Sequence, residues 1–214
     1  MSAAPEPSDV RSRILTEATR LFAARGYEGT SIQQVAAAAG ITRPTLIYHF
    51  GSKEGLRREV LEQLLSHWRD DLPRVLAAAQ TGTDRFRSAL DAVLSFFRDA
   101  PDRARLLSRE MLDRPEEMTT LFAEHLQPWT SLITDYIRRG QAEGRIRLGI
   151  DPEAYLVQIL HAAIGVIATG GATQHILRDP PSAERQLAEL FRIAKVSLFK
   201  DRPHDFGASD GQLL

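Results

Sequence analysis

The stretch TSIQQVAAAAGITRPTLIYHFGSKEGL, Thr30 to Leu56, limits the possible folds of this chain more than any other. It reads as two short helices joined by a tight turn and followed at once by the start of a third. Thr30 and Gln33 have the spacing of a capping box, in which a hydroxyl and an amide satisfy backbone donors at a helix start, so a helix is expected near Ser31. Ile32, Val35, Ala36 and Ala39 then fall three and four apart on one face, and Gly40 can take the left-handed conformation that ends the helix. Thr42 caps a second helix with Pro44 in its first turn, where a missing N–H costs nothing. This is the layout of a helix-turn-helix, whose second helix enters the DNA major groove while the first crosses the phosphate backbone.

The second helix carries residues suited to that position. Arg43, Thr45, Tyr48, His49 and Lys53 bring donors and an aromatic edge to one small region, while Leu46 and Phe50 form an inner face. The run Gly40, Ile41, Thr42, Pro44, Thr45, Leu46, His49, Phe50, Ser52, Lys53, Glu54 and Leu56 resembles the tetracycline-repressor-like (TetR) family of bacterial transcription regulators. The resemblance is detailed over the first quarter of the chain and extends beyond it only in length and helical layout. Ile47 departs from it, standing where the family usually has a tyrosine whose hydroxyl holds phosphate. A thymine methyl contact is expected in place of that hydrogen bond.

The resemblance implies a set of DNA contacts, residue by residue. Pro44 and Thr45 match positions that approach base edges or phosphate, and Arg43 is free to take guanine O6 and N7 with two hydrogen bonds. Tyr48 and His49 match positions that touch backbone and neighbouring bases, Lys53 one that pairs with phosphate, and Gln33 one often used for base contact. Thr42 joins this set, although Thr42 and Thr45 read equally well as helix caps alone.

Whole-chain charge conceals a basic start. The net charge is −1, yet Ser8 to Val60 holds eight Lys or Arg against five Asp or Glu, as expected of a basic head on an acidic body. There is no cysteine, which excludes disulfides and cysteine-based zinc sites and fits a reducing cytoplasm. No apolar run approaches the length that spans a bilayer, so no membrane partner is expected. The six histidines are scattered, and no P-loop, GxGxxG, GxSxG or HExxH occurs, so neither catalysis, cofactor nor metal is expected.

The remainder reads as helix after helix, with no strand pattern. An all-α fold of about nine helices is expected: a flexible arm at 1–7, a three-helix head at 8–56, a larger bundle at 57–200 and a tail at 201–214. One helix runs from Lys53 to about Ala79, a turn falls at 81–83, and a single amphipathic helix at 115–139 is kinked by Pro128. The helix at 153–169 is apolar nearly all round and must be buried on all sides. Asp179-Pro180-Pro181 marks a loop before the last helix. The family resemblance implies a ligand pocket in this bundle and a homodimer made by the last two long helices. Trp68, Phe97, Arg109, Phe122, His125, Trp129, Gln158 and His161 offer aromatic walls and polar groups for an unknown small-molecule effector, although each also reads as core. Leu156, Leu160, Ile164, Ile167, Leu187, Phe191 and Leu198 are the candidate dimer residues. The expected function is a homodimeric repressor that binds double-stranded operator DNA with palindromic symmetry and is released by a ligand. The alternative is an all-helical enzyme or adaptor with an incidental helix-turn-helix.

Overall fold

The computed structural model describes residues 7–78, 82–170, 172 and 182–200 of the 214-residue chain. The arm at 1–6, the 173–181 loop with Asp179-Pro180-Pro181, and the tail at 201–214 lie outside them. The described residues form ten helices: α1 Pro7–Arg25, α2 Ile32–Ala38, α3 Arg43–Phe50, α4 Lys53–Ala78, α5 Gly82–Asp99, α6 Pro101–Asp113, α7 Pro115–His125, α8 Gln127–Ala142, α9 Pro152–Thr169 and α10 Ala183–Leu198. Among the described residues, extended pairing is limited to one antiparallel bridge between Ile146 and Phe199.

The helix boundaries follow from local chemistry. Gly26 closes α1 at φ +73° and Gly40 follows α2 at φ +67°, conformations that an L side chain rarely adopts. The capping box lies one residue later than its spacing suggests: Ser31 Oγ accepts from Gln34 N, and the Gln34 side chain accepts from Ser31 N. Thr30 cannot serve, because it is buried and its hydroxyl donates to the carbonyls of Leu21 and Gly26. Thr42 does cap α3, accepting from Thr45 N at 3.3 Å.

Pro128 divides the expected single helix into two. It sits in the first turn of α8, after a break at Leu126, because proline has no N–H and its ring clashes with the carbonyl one turn back. The helix count rises accordingly. α5 begins at Gly82, inside the stretch read as a turn. Gly140 lies in the last turn of α8, and a Cβ there would lie 2.6 Å from Ile146 Cδ1, so a larger residue would make the Ile146 side chain shift.

The first three helices pack around Ile14, Ala18, Phe22, Val35, Leu46 and Leu56, all essentially inaccessible to solvent. Contact with the rest runs chiefly from α1 to α6, and α6 in turn packs on α9. α9 corrects the expectation that it is buried on all sides, since only Ala163, Ile164 and Ile167 are buried. It is also long and apolar enough to cross a bilayer by length and composition, although Gln158 and His161 interrupt the run. Packing on α6, α8 and α10 accounts for one face of it.

Candidate nucleic-acid interface and effector cavity

α3 is held from below and bare above. Leu46 and Phe50 anchor it in the core, while Thr42, Arg43, Pro44 and Tyr48 face solvent, with Tyr48 86% exposed. The Tyr48 ring meets the half-buried His49 ring edge-on at 5.5 Å. The hydroxyls of Thr42 and Thr45 lie 2.9 Å apart, so both take part in the cap, and each keeps hydrogen-bonding capacity for another partner. Gln33, on α2, is exposed. Lys53 is half-buried, its ammonium 4.0 Å from the Tyr27 ring centroid, which fixes it at the start of α4.

Sequence reasoning passed over Arg57. It is fully buried, and its guanidinium ties α4 to two other helices. Nη1 donates to Glu110 of α6 at 2.5 Å, and Nη2 donates to Glu54 at 2.6 Å and to Glu117 of α7. Arg114 and Arg57 both stand over the Tyr27 ring, at 4.6 and 5.7 Å. Burial works to lower the pKa of Arg57, but its hydrogen bonds to Glu54 and Glu117 outweigh that and hold it charged. Three carboxylates meet two guanidiniums here, with the Lys53 ammonium on the same Tyr27 ring. Burial pushes the Glu110 carboxyl up despite Arg57. Burial would raise Glu54 as well, but its hydrogen bonds with Arg57 and Tyr27 prevail and its shift is downward. The signal in the sequence was a charged residue in the inward stripe of α4, in register with Val60, Leu61, Leu64 and Trp68.

Two cavities open in the larger bundle. One, about 330 Å³, lies among α5, α8 and α9, with Phe86, Leu90, Ile133 and Leu156 on its walls. The other, about 380 Å³, is lined by Trp68, Phe97, Phe122 and His161 among others. Val93, Trp129 and Leu160 border both. Five of the eight expected pocket residues thus meet around this space: Trp68, Phe97, Phe122, Trp129 and His161. Arg109 does not. Its Nε donates to Ala23 O at 2.8 Å, satisfying a carbonyl near the end of α1, so it fastens α6 to α1. Gln158 is exposed and outside both cavities, because α9 turns it away from the core. His125 is not a wall residue of either cavity, although its Nδ1 is buried with no hydrogen-bond partner among the described residues.

Comparison with known proteins accounts for both halves of the chain. Residues 14–60 match the family described as bacterial regulatory proteins, tetR family, and residues 83–195 match the tetracyclin repressor-like C-terminal domain. The chain belongs to the TetR family. A relative, the transcriptional repressor AcnR of Corynebacterium efficiens, is 27% identical over 79% of this chain and 87% of its own. The transcriptional regulator RutR of Escherichia coli K12 is 28% identical over 81% and 76%. Among solved structures, the ketosteroid transcriptional regulator KstR2 of Mycobacterium tuberculosis superposes with a TM-score of 0.70 at 18% identity, covering 89% of this chain and 95% of that one. The MbdR regulator of Azoarcus sp. CIB reaches a TM-score of 0.72 at 18%, covering 89% and 100%. These two show the fold. The chain is thus a TetR-family transcriptional regulator with an N-terminal helix-turn-helix and a helical C-terminal bundle.

In this TetR-family bundle most of the expected dimer residues meet the protomer's own core or cavities. Leu187 and Leu198 are buried within the protomer, and Ile164 and Ile167 are nearly so. Leu156 and Leu160 line the cavities, and Phe191 packs on Phe86 at 6.2 Å. Val157, Ile193 and Val196 are the large apolar residues that α9 and α10 leave exposed. The apolar stripe of each helix was legible, but the side of it that meets the protomer's own core was not.

Proposed function

We propose that this chain is a homodimeric repressor that reads a palindromic operator through α3 and is released from it by a small molecule held in the bundle. The observation that carries this reading is α3 itself, with Arg43 and Tyr48 projecting from a helix whose other face is locked by Leu46 and Phe50. Arg43 reads a base, Thr42, Pro44, Thr45, Tyr48 and His49 contact backbone and neighbouring bases, and Gln33 reaches in from α2. Lys53 neutralises phosphate from its seat on Tyr27. The head comprises 8–56, the bundle 57–200, and the protein works in the cytoplasm, where its operator is.

The bare face of α9 and α10, with Val157, Ile193 and Val196 at its centre, supports pairing of two copies. A twofold dimer presents two α3 helices to successive major grooves, about one helical turn apart. A ligand in the cavities acts by favouring one spacing of the heads over another, and can shift the population only by its difference in affinity between them. The route from cavity to head is short: Trp68 of α4 faces the second cavity, and Arg57 of α4 joins α6 and α7.

Titration of the operator against salt tests this reading. Binding must fall steeply as salt rises. Arg43→Ala should cost about 1–3 kcal/mol at one base position and relax preference there, while Lys53→Ala weakens all sequences alike and reduces the salt slope by roughly one. Val157→Glu with Ile193→Glu should yield monomers that lose the operator, because they bury unpaired charge in the contact. Salt-insensitive binding would defeat the reading, and an unchanged dimer in the double variant would move the interface elsewhere.

A further inference from the structure

The two cavities differ from ordinary packing defects in what divides them. Trp129 is 3% exposed and borders both, yet its indole N–H donates to nothing among the described residues. A buried donor with no acceptor is costly, and an indole N–H is a donor only. The described walls carry no carboxylate, and their basic side chains, Arg139 and His161, are exposed at the rim. A charge at the centre would therefore lie among apolar groups with nothing opposite it. Apart from Gln127 and Thr130 in the second cavity, the remaining walls are mainly aromatic and aliphatic, including Phe86 and Leu156 on one side and Phe97 and Phe122 on the other. Of the two tyrosines on the first cavity, Tyr155 already donates to Ala194 O at 2.6 Å, whereas the Tyr136 hydroxyl is buried with no hydrogen-bond partner among the described residues and gives that lobe a further polar contact.

We propose that the effector is an uncharged, two-lobed, mainly apolar molecule whose central hydrogen-bond acceptor takes the Trp129 N–H, with one lobe in each cavity. This rests on the reading of the bundle as the effector-binding part. It narrows the class: neutral ketones, ethers or esters flanked by two apolar groups fit best, pure hydrocarbons bind more weakly for want of an acceptor, and organic anions and ammonium compounds do not fit.

Isothermal titration of the full chain with benzophenone, diphenylmethane and diphenylacetate tests it directly. Each probe has two phenyl rings, joined respectively by an acceptor, by no polar group and by a branch carrying a charge. Benzophenone should bind about fivefold tighter than diphenylmethane, the worth of one satisfied hydrogen bond, and diphenylacetate should bind most weakly. Trp129→Phe, which keeps an aromatic ring and removes the N–H, should bring benzophenone to within about twofold of diphenylmethane. Equal binding of ketone and hydrocarbon to the wild-type protein overturns the acceptor, tightest binding of diphenylacetate overturns the neutral class, and binding of none overturns the two-lobed fit. The wild-type ranking decides these points even if the variant fails to fold. No DNA is present, so failure here is distinct from failure of the regulator reading, which shows as salt-insensitive operator binding.

Discussion

The head and the bundle are built from the same kind of amphipathic helix, yet one is filled and the other is hollow. Around Phe22 and Leu46 every apolar side chain meets another, and at the junction Arg57 has an acceptor for both terminal nitrogens. Around Trp129, two cavities and an unmet donor remain. The difference teaches a division of labour. A surface that reads base edges must hold its geometry to a fraction of an ångström, while a binding space must leave free energy for a ligand to recover.

The sharpest way to break this comparison is at the junction. Arg57→Ala leaves the buried Glu110 carboxyl without its guanidinium and should cost about 3–5 kcal/mol, read by denaturant unfolding. The double variant Arg57→Met with Glu110→Leu should recover much of that loss, because it removes both charges. If the single variant is as stable as wild type, the junction is not the rigid member of the pair.

Next comes a matched deletion in each region. Leu46→Ala, at a site with no solvent access, should cost about 2–5 kcal/mol. Leu160→Ala, which already borders both cavities, has fewer neighbours to lose and should cost only about 1 kcal/mol. Equal losses would mean that the bundle is as tightly packed as the head.

The smallest effect is one of pH. The Glu110 carboxyl is raised in the folded protein above its ordinary 4.5, so the folded state binds the proton more tightly than the unfolded one. Stability from this group is present below 4.5 and is lost as pH rises through the folded value. Glu110→Gln does not titrate, so the variant should gain on wild type as pH rises above 4.5. A wild type that instead gains over this window would show that Arg57 outweighs burial at Glu110.

What could be read from the sequence was what is local. Gly40, Thr42, Pro44 and the Leu46–Phe50 pair define α3 within a dozen residues, and each behaves as its spacing predicts. Ser31 and Thr30 show the limit even there: two hydroxyl–glutamine pairs, one residue apart, fit the same template, and only the fold-back onto Leu21 withdraws Thr30. The junction was illegible because Arg57 lies 53 and 60 residues from Glu110 and Glu117, and no periodicity links them. The tie between Arg109 and α1 was illegible for a similar reason, since its acceptor lies 86 residues away. Along α9 and α10 the apolar stripe revealed that a face is covered without revealing by what, and Leu187 and Leu198, expected at the dimer contact, are buried within the protomer.

On the proposed dimer, the bare side of α9 makes abundance part of this molecule's stability. A protomer that fully buries only Ala163, Ile164 and Ile167 of its most apolar helix would, as such a dimer, gain by self-association in proportion to the logarithm of its concentration. On the dimer reading, a cell holding few copies has fewer assembled regulators and also shorter-lived ones, because the uncovered helix is open to proteases and to aggregation. Synthesis rate then sets occupancy of the operator twice over, once through the number of molecules made and again through the fraction that survives to find a partner.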